Sequence, residues 1–267
     1  MRKLIKIGSI IFLITSFIFL LFLTNAFIGN PISKLIVKYQ ANKYIEKKYP
    51  NTDYYLESVF YSFKDSRYHA QIESKNSIDT YFNVSFNSFG KMHYDNYETL
   101  VTGKHNTFNR IDSAYREKIN EVIENMPYKS NIGYGTLVSK DREVNELINI
   151  GLDVDKLILD KKYDIKELGI KHGNIVFYAY TEEVSEEKLK EILFKFKKDC
   201  EKNDITFNTI SLSLQDLDGF ESKKFKEEII IESFLYSDID EKTIEEKIKE
   251  SIIKTQEFYD ELEKAGY

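Results

Sequence analysis

The chain has 267 residues, of which 42% are apolar and 31% are charged, and its formal net charge is −6 at pH 7. This composition is typical of a folded globular protein and excludes a largely disordered one. The acidic balance argues against nucleic-acid binding, which requires a basic face. The single cysteine, Cys200, excludes an internal disulfide and a cysteine metal cluster.

The first element is an apolar N-terminal segment. Three basic residues lie within the first six, and no further charged residue occurs before Lys34. As a helix, Ile7–Ile28 would reach roughly 30 Å, the thickness of a bilayer core. The basic flank favours a cytoplasmic N-terminus. We therefore predict a transmembrane anchor over residues 1–29, a plasma-membrane location and an extracytoplasmic position for everything that follows.

A cleaved signal peptide is the alternative for the same segment. Its apolar core would be Ile10–Leu23, which is close to the upper length for such a region. Thr24-Asn25-Ala26 is a poor cleavage site, because threonine is not ideal at its first small position. We therefore favour a retained anchor, and both interpretations place the bulk of the chain outside the cytoplasm.

Residues 30–101 predict a helix-plus-sheet domain. Asn30 and Pro31 are typical of a helix start. The apolar positions of the predicted helix Pro31–Tyr49 follow three- and four-residue steps: Ile32, Leu35, Ile36 and Tyr39, then Ala41, Tyr44, Ile45 and Tyr49. Period-two patterns then predict four strands: Tyr55–Phe63, Arg67–Ser74, Asp79–Phe86 and Lys91–Tyr97. Short polar turns between them favour an antiparallel meander with the helix covering its buried face.

Residues 106–267 predict a second α+β unit, separated from the first by a boundary at 102–106. The predicted helices are Asn109–Met126, Ser185–Lys202 and a long final helix, Asp240–Lys264, which Asp240 would cap. The predicted strands are Tyr134–Ser139, Ile175–Tyr180, Thr206–Leu214 and Lys226–Tyr236. Short helices are expected within residues 141–170. The fold class is therefore α+β throughout, behind one N-terminal transmembrane helix.

The sequence holds no pattern with the fixed spacing that catalysis or cofactor binding requires. It lacks a glycine-rich phosphate loop, H-E-x-x-H, C-x-x-C and G-x-S-x-G. The histidines are isolated from one another: His69, His93, His105 and His172. Ser185-x-x-Lys188 matches a nucleophile motif, but Ser185 is more simply a helix N-cap. Lysines near Cys200 would lower its pKa if the thiol were exposed, whereas a packed cysteine would be inert. We predict no catalytic, cofactor or metal residues.

Aromatic residues are abundant, with 19 tyrosines, 19 phenylalanines and no tryptophan. Tyr54, Tyr61, Tyr81 and Tyr97 lie in the predicted sheet region and are the candidate binding surface, an exposed platform for a peptide, glycan or protein partner. The alternative is that these side chains fill the core, since tyrosine and phenylalanine fit strands well. Alternation alone does not decide between the two.

Several segments carry a family resemblance. These are residues 29–34, residues 44–50, Tyr81–Phe86 with Gly90, and the region from Lys166 to Lys202. Together they resemble the YfjL-like proteins of Gram-positive bacteria over most of the chain. The helix-plus-sheet portion is similar, more loosely, to PepSY-type domains, some of which are thought to restrain envelope peptidases. The resemblance implies an envelope protein and supplies no active-site residues.

The expected function is a non-enzymatic, membrane-anchored binding or regulatory module of the cell envelope. Its expected partners are the membrane, through the single helix, and an envelope protein or peptide. The alternatives are an envelope hydrolase, which would need histidines or carboxylates from both halves to converge, and a purely structural envelope component.

Overall fold

The computed structural model describes the chain in three stretches, residues 2–140, 150–222 and 226–264. The chain forms two compact units. The first comprises Met1–Thr107 with Ile158–Asp160, and the second comprises Phe108–Leu157 with Lys161–Tyr267. Each unit contains its own four-stranded sheet and its own apolar core. The mixed α+β class predicted from the sequence is confirmed.

The chain opens with a long apolar helix, α1, at Arg2–Ile28. Among the described residues, one helix near the N-terminus is long and apolar enough to cross a membrane, with a mean hydropathy of 2.4. Its side chains pack against little else, and Phe12 is 69% exposed. A signal sequence has the same length and composition, so α1 is a helix of membrane-spanning size that fits either role.

The rest of the first unit is a helix packed on an antiparallel meander. Its elements are α2 at Pro31–Lys48, β1 at Tyr54–Ser62, β2 at Arg67–Ser74, β3 at Tyr81–Phe86 and β4 at Met92–Asp95, followed by a π-helical turn at Glu98–Thr102. The strands are hydrogen-bonded in the order β1-β2-β3-β4. Alternation is clearest in β2, where Tyr68, Ala70 and Ile72 are buried and the residues between them are not.

The buried stripe of α2 differs from the predicted one in its first half. Its members repeat every four residues: Ser33, Val37, Ala41 and Ile45. Of the predicted positions, Ala41 and Ile45 are buried, whereas the first half of the predicted stripe faces solvent, with Ile32 67% exposed, Leu35 68% and Tyr39 58%. Ser33 and Ala41 have small side chains, which permit a close approach of the helix to the sheet along this line.

A short segment distant in sequence completes the first unit. Leu159 packs against its apolar core. The carboxylate Oδ1 of Asp160 accepts the backbone N–H of Asp79 at 3.0 Å and lies 3.0 Å from the Ser77 hydroxyl. In return, Asp79 Oδ2 accepts the backbone N–H of Asp160 at 2.8 Å. Residues 158–160 therefore close the β2–β3 loop.

The elements that follow the first sheet alternate helices with strands. The helices are α3 at His105–Glu124, α4 at Ile165–His172, α5 at Glu186–Lys202, α6 at Leu217–Ser222 and α7 at Ile244–Lys264, with 3-10 turns at Val154–Lys156 and Tyr236–Asp238. The strands are β5 at Gly133–Leu137, β6 at Gly173–Thr181, β7 at Thr209–Asp216 and β8 at Glu228–Leu235. Part of the region predicted to form short helices, 141–149, lies outside the described residues.

The second sheet has the order β5-β6-β7-β8. Its central strands β6 and β7 run parallel and are connected through α5, whereas both outer pairs are antiparallel. Parallel neighbours need such a crossover connection. The core between sheet and helices includes Phe177, Phe196 and Leu212, each at most 1% exposed. α7 begins at Ile244 rather than at Asp240 as predicted, because Asp240 instead forms a preceding turn in which its carboxylate accepts the N–H of Lys242 at 3.0 Å.

Candidate anchor junction and tyrosine cluster

The junction between α1 and α2 is two residues long. Gly29 has φ +81°, a left-handed conformation that glycine adopts without strain. A Cβ at this position would lie 2.7 Å from Cβ and Cγ of Tyr61. Asn30 then caps α2, since its Oδ1 accepts the N–H of Ile32 at 2.8 Å, and Pro31 occupies the first helical turn. The turn therefore requires both the glycine and the cap.

A buried tyrosine of the sheet holds this junction. Tyr68 is 2% exposed, and its hydroxyl accepts the backbone N–H of Asn30 at 2.5 Å while donating to the carbonyl of Asn30 at 3.2 Å. The Tyr68 ring packs against Tyr61 at a centroid distance of 5.0 Å. Just before the junction, the ring of Phe27 in α1 packs against the ring of Phe63 at a centroid distance of 6.2 Å. The end of the apolar helix is thus fixed to the first sheet.

A cleft of about 510 Å³ opens beside the junction, between α2 and the edge strand β1. One wall is formed by α2 and the other by β1; the lining residues are Pro31, Lys34, Leu35, Lys38, Leu56, Glu57, Ser58 and Val59. Strand β1 carries a register shift between Leu56 and Ser58 within this wall. The cleft is mainly apolar, with two lysines on its helix side.

Two of the four candidate tyrosines come together at the other end of the same sheet face. The Tyr54 and Tyr97 hydroxyls are 3.3 Å apart and their rings 6.2 Å apart. Tyr49 packs between them, with its ring 5.4 Å from Tyr54 and 4.9 Å from Tyr97, and Phe82 closes the group from the core. Burial raises the pKa of both Tyr49 and Tyr54. We call these four residues the tyrosine cluster.

Asp95 lies next to the tyrosine cluster and accepts hydrogen bonds from side chains around it. Its side chain is 7% exposed. Its Oδ2 accepts from the Tyr44 hydroxyl and from the Lys48 ammonium at 2.6 Å, with the Tyr49 hydroxyl at 3.5 Å. Burial acts to raise the pKa of Asp95, but the hydrogen bonds from Lys48 and Tyr44 outweigh it and lower the pKa. Asp95 therefore joins the end of α2 to β4 as a charged acceptor.

The other two candidate tyrosines lie apart from this pair. Tyr61 lies on the same face of the sheet, at the junction end, where it contacts Tyr68. Tyr81 lies on the opposite face, because it pairs across the sheet with Glu73 while its neighbour Phe82 is buried in the core. All four are partly buried. Tyr54, Tyr61 and Tyr97 pack against the core of the first unit. Binding at these tyrosines stays a prediction, and of the four, Tyr54 and Tyr97 are in contact with each other.

The histidines occupy four unrelated surroundings. His69 stacks on Phe60 at 5.3 Å, and its Nε2 lies 3.0 Å from the Asp65 carboxylate. His172 Nδ1 lies 2.6 Å from the carbonyl oxygen of Ile150. The others are His93, which is exposed on β4, and His105, which opens α3. Within the described ranges, no group of three or more His, Cys, Asp or Glu side chains is arranged to hold a metal ion.

The remaining residues considered from the sequence have structural positions. Ser185 caps α5 by accepting the N–H of Lys188 at 3.2 Å, and the Lys188 ammonium pairs with Glu191 at 2.7 Å instead of with the serine. Cys200 is fully buried, and this burial raises the pKa of its thiol to about 12. The neighbouring lysines therefore do not activate the thiol.

Sequence reasoning missed the residues that organise the site. The sequence predicts the strand that carries Tyr68, but its partner Asn30 lies 38 positions away. Asp95 and Asp160 had no local pattern to mark them. The Gly29-Asn30-Pro31 run was the one available indication, since a glycine before a capped helix start often marks a sharp turn.

These features define an α+β protein of two compact units with one N-terminal helix of membrane-spanning length. Residues 1–96 match the family described as YfjL-like, N-terminal domain, and residues 114–249 match the YfjL-like C-terminal domain. The chain belongs to the YfjL-like family, as its sequence segments predicted. No curated protein and no solved structure matches it. The looser similarity to PepSY-type domains stays a prediction.

Proposed function

We propose that the chain is a non-enzymatic binding or regulatory module of the cell envelope, tethered to the plasma membrane by α1. Its N-terminus lies in the cytoplasm and its two folded units lie outside. The observation that carries the proposal is the junction at Gly29 and Asn30, which attaches an exposed apolar helix directly to a folded domain. Such a helix is far more stable in lipid than in water.

The orientation is supported by the position of the apolar segment behind a short basic N-terminus. Arg2, Lys3 and Lys6 precede this segment, as in the charged first region of export signals. Five lysines also follow it between residues 29 and 48, so the support comes from this export-signal pattern and not from a charge difference between the two flanks. Binding is supported by the Tyr54–Tyr97 pair, since partly exposed tyrosines are frequent anchors at protein interfaces.

Cysteine labelling in intact cells tests the topology. The natural chain should give little background labelling, because its one cysteine, Cys200, is buried and the pKa of its thiol is raised. Asn76→Cys adds a thiol at an exposed position of the β2–β3 loop. We expect a membrane-impermeant maleimide to label Asn76→Cys in intact cells. The matched variant Lys3→Cys should be labelled only after the cells are permeabilised. Labelling of Lys3→Cys but not of Asn76→Cys in intact cells would show the opposite orientation and contradict the proposal.

Site-specific crosslinking tests the binding role. A photoreactive side chain at Glu98, which is exposed next to Tyr97, should yield one discrete protein adduct in intact cells. The same probe at Glu241, exposed before α7, is the control and should not yield that adduct. The absence of any adduct specific to Glu98 would count against a partner at the tyrosine cluster.

A further inference from the structure

The end of the first sheet that contacts the anchor also exposes apolar turn residues. Tyr61, Tyr68 and Phe86 form one row across the sheet, and the β1–β2 and β3–β4 turns both leave the sheet beyond this row. Each turn carries an exposed phenylalanine, Phe63 at 57% and Phe89 at 84%. Two separate turns thus present aromatic rings at the end where α1 leaves the unit.

The first turns of α2 lie at this same end. Gly29 contacts Tyr61, and Gly90 of the β3–β4 turn packs so closely against α2 that a Cβ would lie 2.8 Å from side-chain atoms of Ile36 and Gln40. Ile32 and Leu35 follow directly from the junction and are 67% and 68% exposed. Together with the two phenylalanines, they form an apolar collar around the exit of the anchor.

Charge is distributed unevenly between the two ends of the sheet. The anchor end, made by residues 31–38, 62–67 and 87–91, carries five basic residues and one acidic residue: Lys34, Lys38, Lys64, Arg67, Lys91 and Asp65. The carboxylate of Asp65 is already paired with His69 at 3.0 Å. The opposite end, made by residues 47–53, 75–80, 95–98 and 158–160, carries three basic and five acidic residues. The anchor end is therefore locally basic although the net charge of the whole chain is negative.

We propose that the anchor end of the first unit is a membrane-interface surface that lies on anionic lipid headgroups. We define this surface by the collar residues Ile32, Leu35, Phe63 and Phe89 and the five basic side chains around them. Apolar side chains ringed by lysine and arginine suit the headgroup boundary of a bilayer, where the apolar groups enter the acyl region and the cations meet phosphate. The proposal rests on the tether proposed above, which places this end within reach of the bilayer.

Lipid is favoured over other occupants because the surface is continuous with the anchor. Gly29 and Asn30 are the only residues between the helix proposed to span the bilayer and Pro31 at the start of the collar. Five neighbouring cations also complement anionic headgroups, whose attraction falls off within a Debye length, about 8 Å at physiological salt. Two copies of this surface would repel one another for the same reason. The domain is therefore seated on the bilayer instead of moving freely above it.

Fluorescence quenching by brominated lipid tests this surface in the full chain. The natural sequence contains no tryptophan, so single substitutions report without background. The probes are Phe89→Trp in the collar and Ile78→Trp, an equally apolar exposed position (67%) in the β2–β3 loop at the opposite end. Each variant is reconstituted in nanodiscs of phosphatidylcholine, with and without phosphatidylglycerol, using brominated acyl chains. A third probe, Phe17→Trp within α1, reports whether the anchor is inserted.

The expected result is strong quenching of Phe89→Trp, little quenching of Ile78→Trp, and a clear increase for Phe89→Trp when phosphatidylglycerol is present. If Phe17→Trp is quenched but Phe89→Trp is quenched no more than Ile78→Trp, the surface proposal fails while the tether stands. If Phe17→Trp is not quenched, the tether itself fails. A blue-shifted Phe89→Trp spectrum without bromine quenching indicates a protein contact and also overturns the lipid assignment.

Charge substitutions test the electrostatic part. The double variant Lys64→Glu with Lys91→Glu, made in the Phe89→Trp chain, should lose the additional quenching that phosphatidylglycerol produces. Lys75→Glu, in the loop at the opposite end, is the matched control and should retain it. The phosphatidylglycerol effect should also disappear in 1 M salt, where the Debye length falls to about 3 Å. An effect that survives both the double variant and the salt would contradict headgroup recognition by these lysines.

Discussion

The hydroxyl of Tyr68 bonds to both backbone groups of Asn30, accepting its N–H at 2.5 Å and donating to its carbonyl at 3.2 Å. One buried side chain of the sheet thereby fixes the residue that caps α2, two positions after the end of α1. A flexible linker would let the domain move independently of α1, whereas this contact fixes the end of α1 to the first sheet.

Removing the Tyr68 hydroxyl should loosen the junction without unpacking the core. In Tyr68→Phe the ring keeps its contact with Tyr61, but both backbone groups of Asn30 lose a partner. We expect a loss of about 1–3 kcal/mol in the free energy of unfolding, measured by urea denaturation of the detergent-solubilised chain. Tyr39→Phe, at a position 58% exposed, is the control and should change stability little. Equal effects in both variants would show that the Tyr68 hydroxyl contributes nothing specific.

Gly29 should not tolerate a side chain. Its φ of +81° opposes substitution, and so does the distance of only 2.7 Å that would separate an added Cβ from Tyr61. Gly29→Ala should therefore cost about 1–3 kcal/mol from backbone strain, with additional displacement of Tyr61. Gly8→Ala is the matched control, since a Cβ there meets nothing within 4 Å and alanine favours helix. Thermal unfolding in detergent compares the two, and a neutral Gly29→Ala would refute the packed junction.

Asp160 should stabilise the β2–β3 loop although it lies 81 residues from Asp79. Asp160→Ala removes the acceptor of the Asp79 N–H and the contact with Ser77, so we expect faster backbone hydrogen exchange in peptides covering residues 74–81. The cost should be about 1–2 kcal/mol, because the hydrogen bonds are partly exposed. Asp155→Ala, an exposed carboxylate, should leave exchange in that loop unchanged. Unaltered exchange in Asp160→Ala would show that the Asp160 carboxylate does not hold this loop.

The contacts of Asp95 predict that the stability of the folded chain depends on pH in the acid range. The pKa of Asp95 is lowered in the folded chain, so its contribution is present above the ordinary aspartate pKa of about 3.9 and is lost as pH falls through the lower folded value. Asp95→Asn should be less stable than the natural chain at pH 7 and should lose less further stability between neutral and acid pH. Glu98→Gln, at an exposed position, should follow the natural profile. Parallel profiles for the natural chain and Asp95→Asn, from urea midpoints across pH, would contradict the assignment.

Local patterns were sufficient to predict the first sheet. Strict alternation in Arg67–Ser74 and the Asn30-Pro31 cap gave a strand and a helix start that the structure reproduces. The first half of the buried side of α2 is predicted wrongly, because periodicity gives weight to large apolar residues such as Ile32 and Leu35. Packing instead buries Ser33 and Val37 there, in line with the predicted Ala41 and Ile45, and the small side chain of Ser33 permits close approach to the sheet.

Long-range relationships were beyond sequence reasoning. The parallel pairing of β6 with β7 depends on where α5 returns the chain, and β7 gave no continuous apolar run because Ser211, Ser213 and Gln215 are buried on its second face. The candidate site shows the same limit. Tyr54 and Tyr97 meet across 43 positions, whereas Tyr81 lies on the other face of the sheet, and alternation alone does not indicate which face is covered.

The tether is tested most directly by the intact mass of the protein that remains in membranes after a carbonate wash at high pH. We expect the washed membrane fraction to contain a chain that still includes residues 2–28, with little protein in the wash. A chain that is released by carbonate and lacks these residues would contradict the tether, because α1 would then have acted as a signal sequence and the junction at Gly29 would not exist in the mature protein.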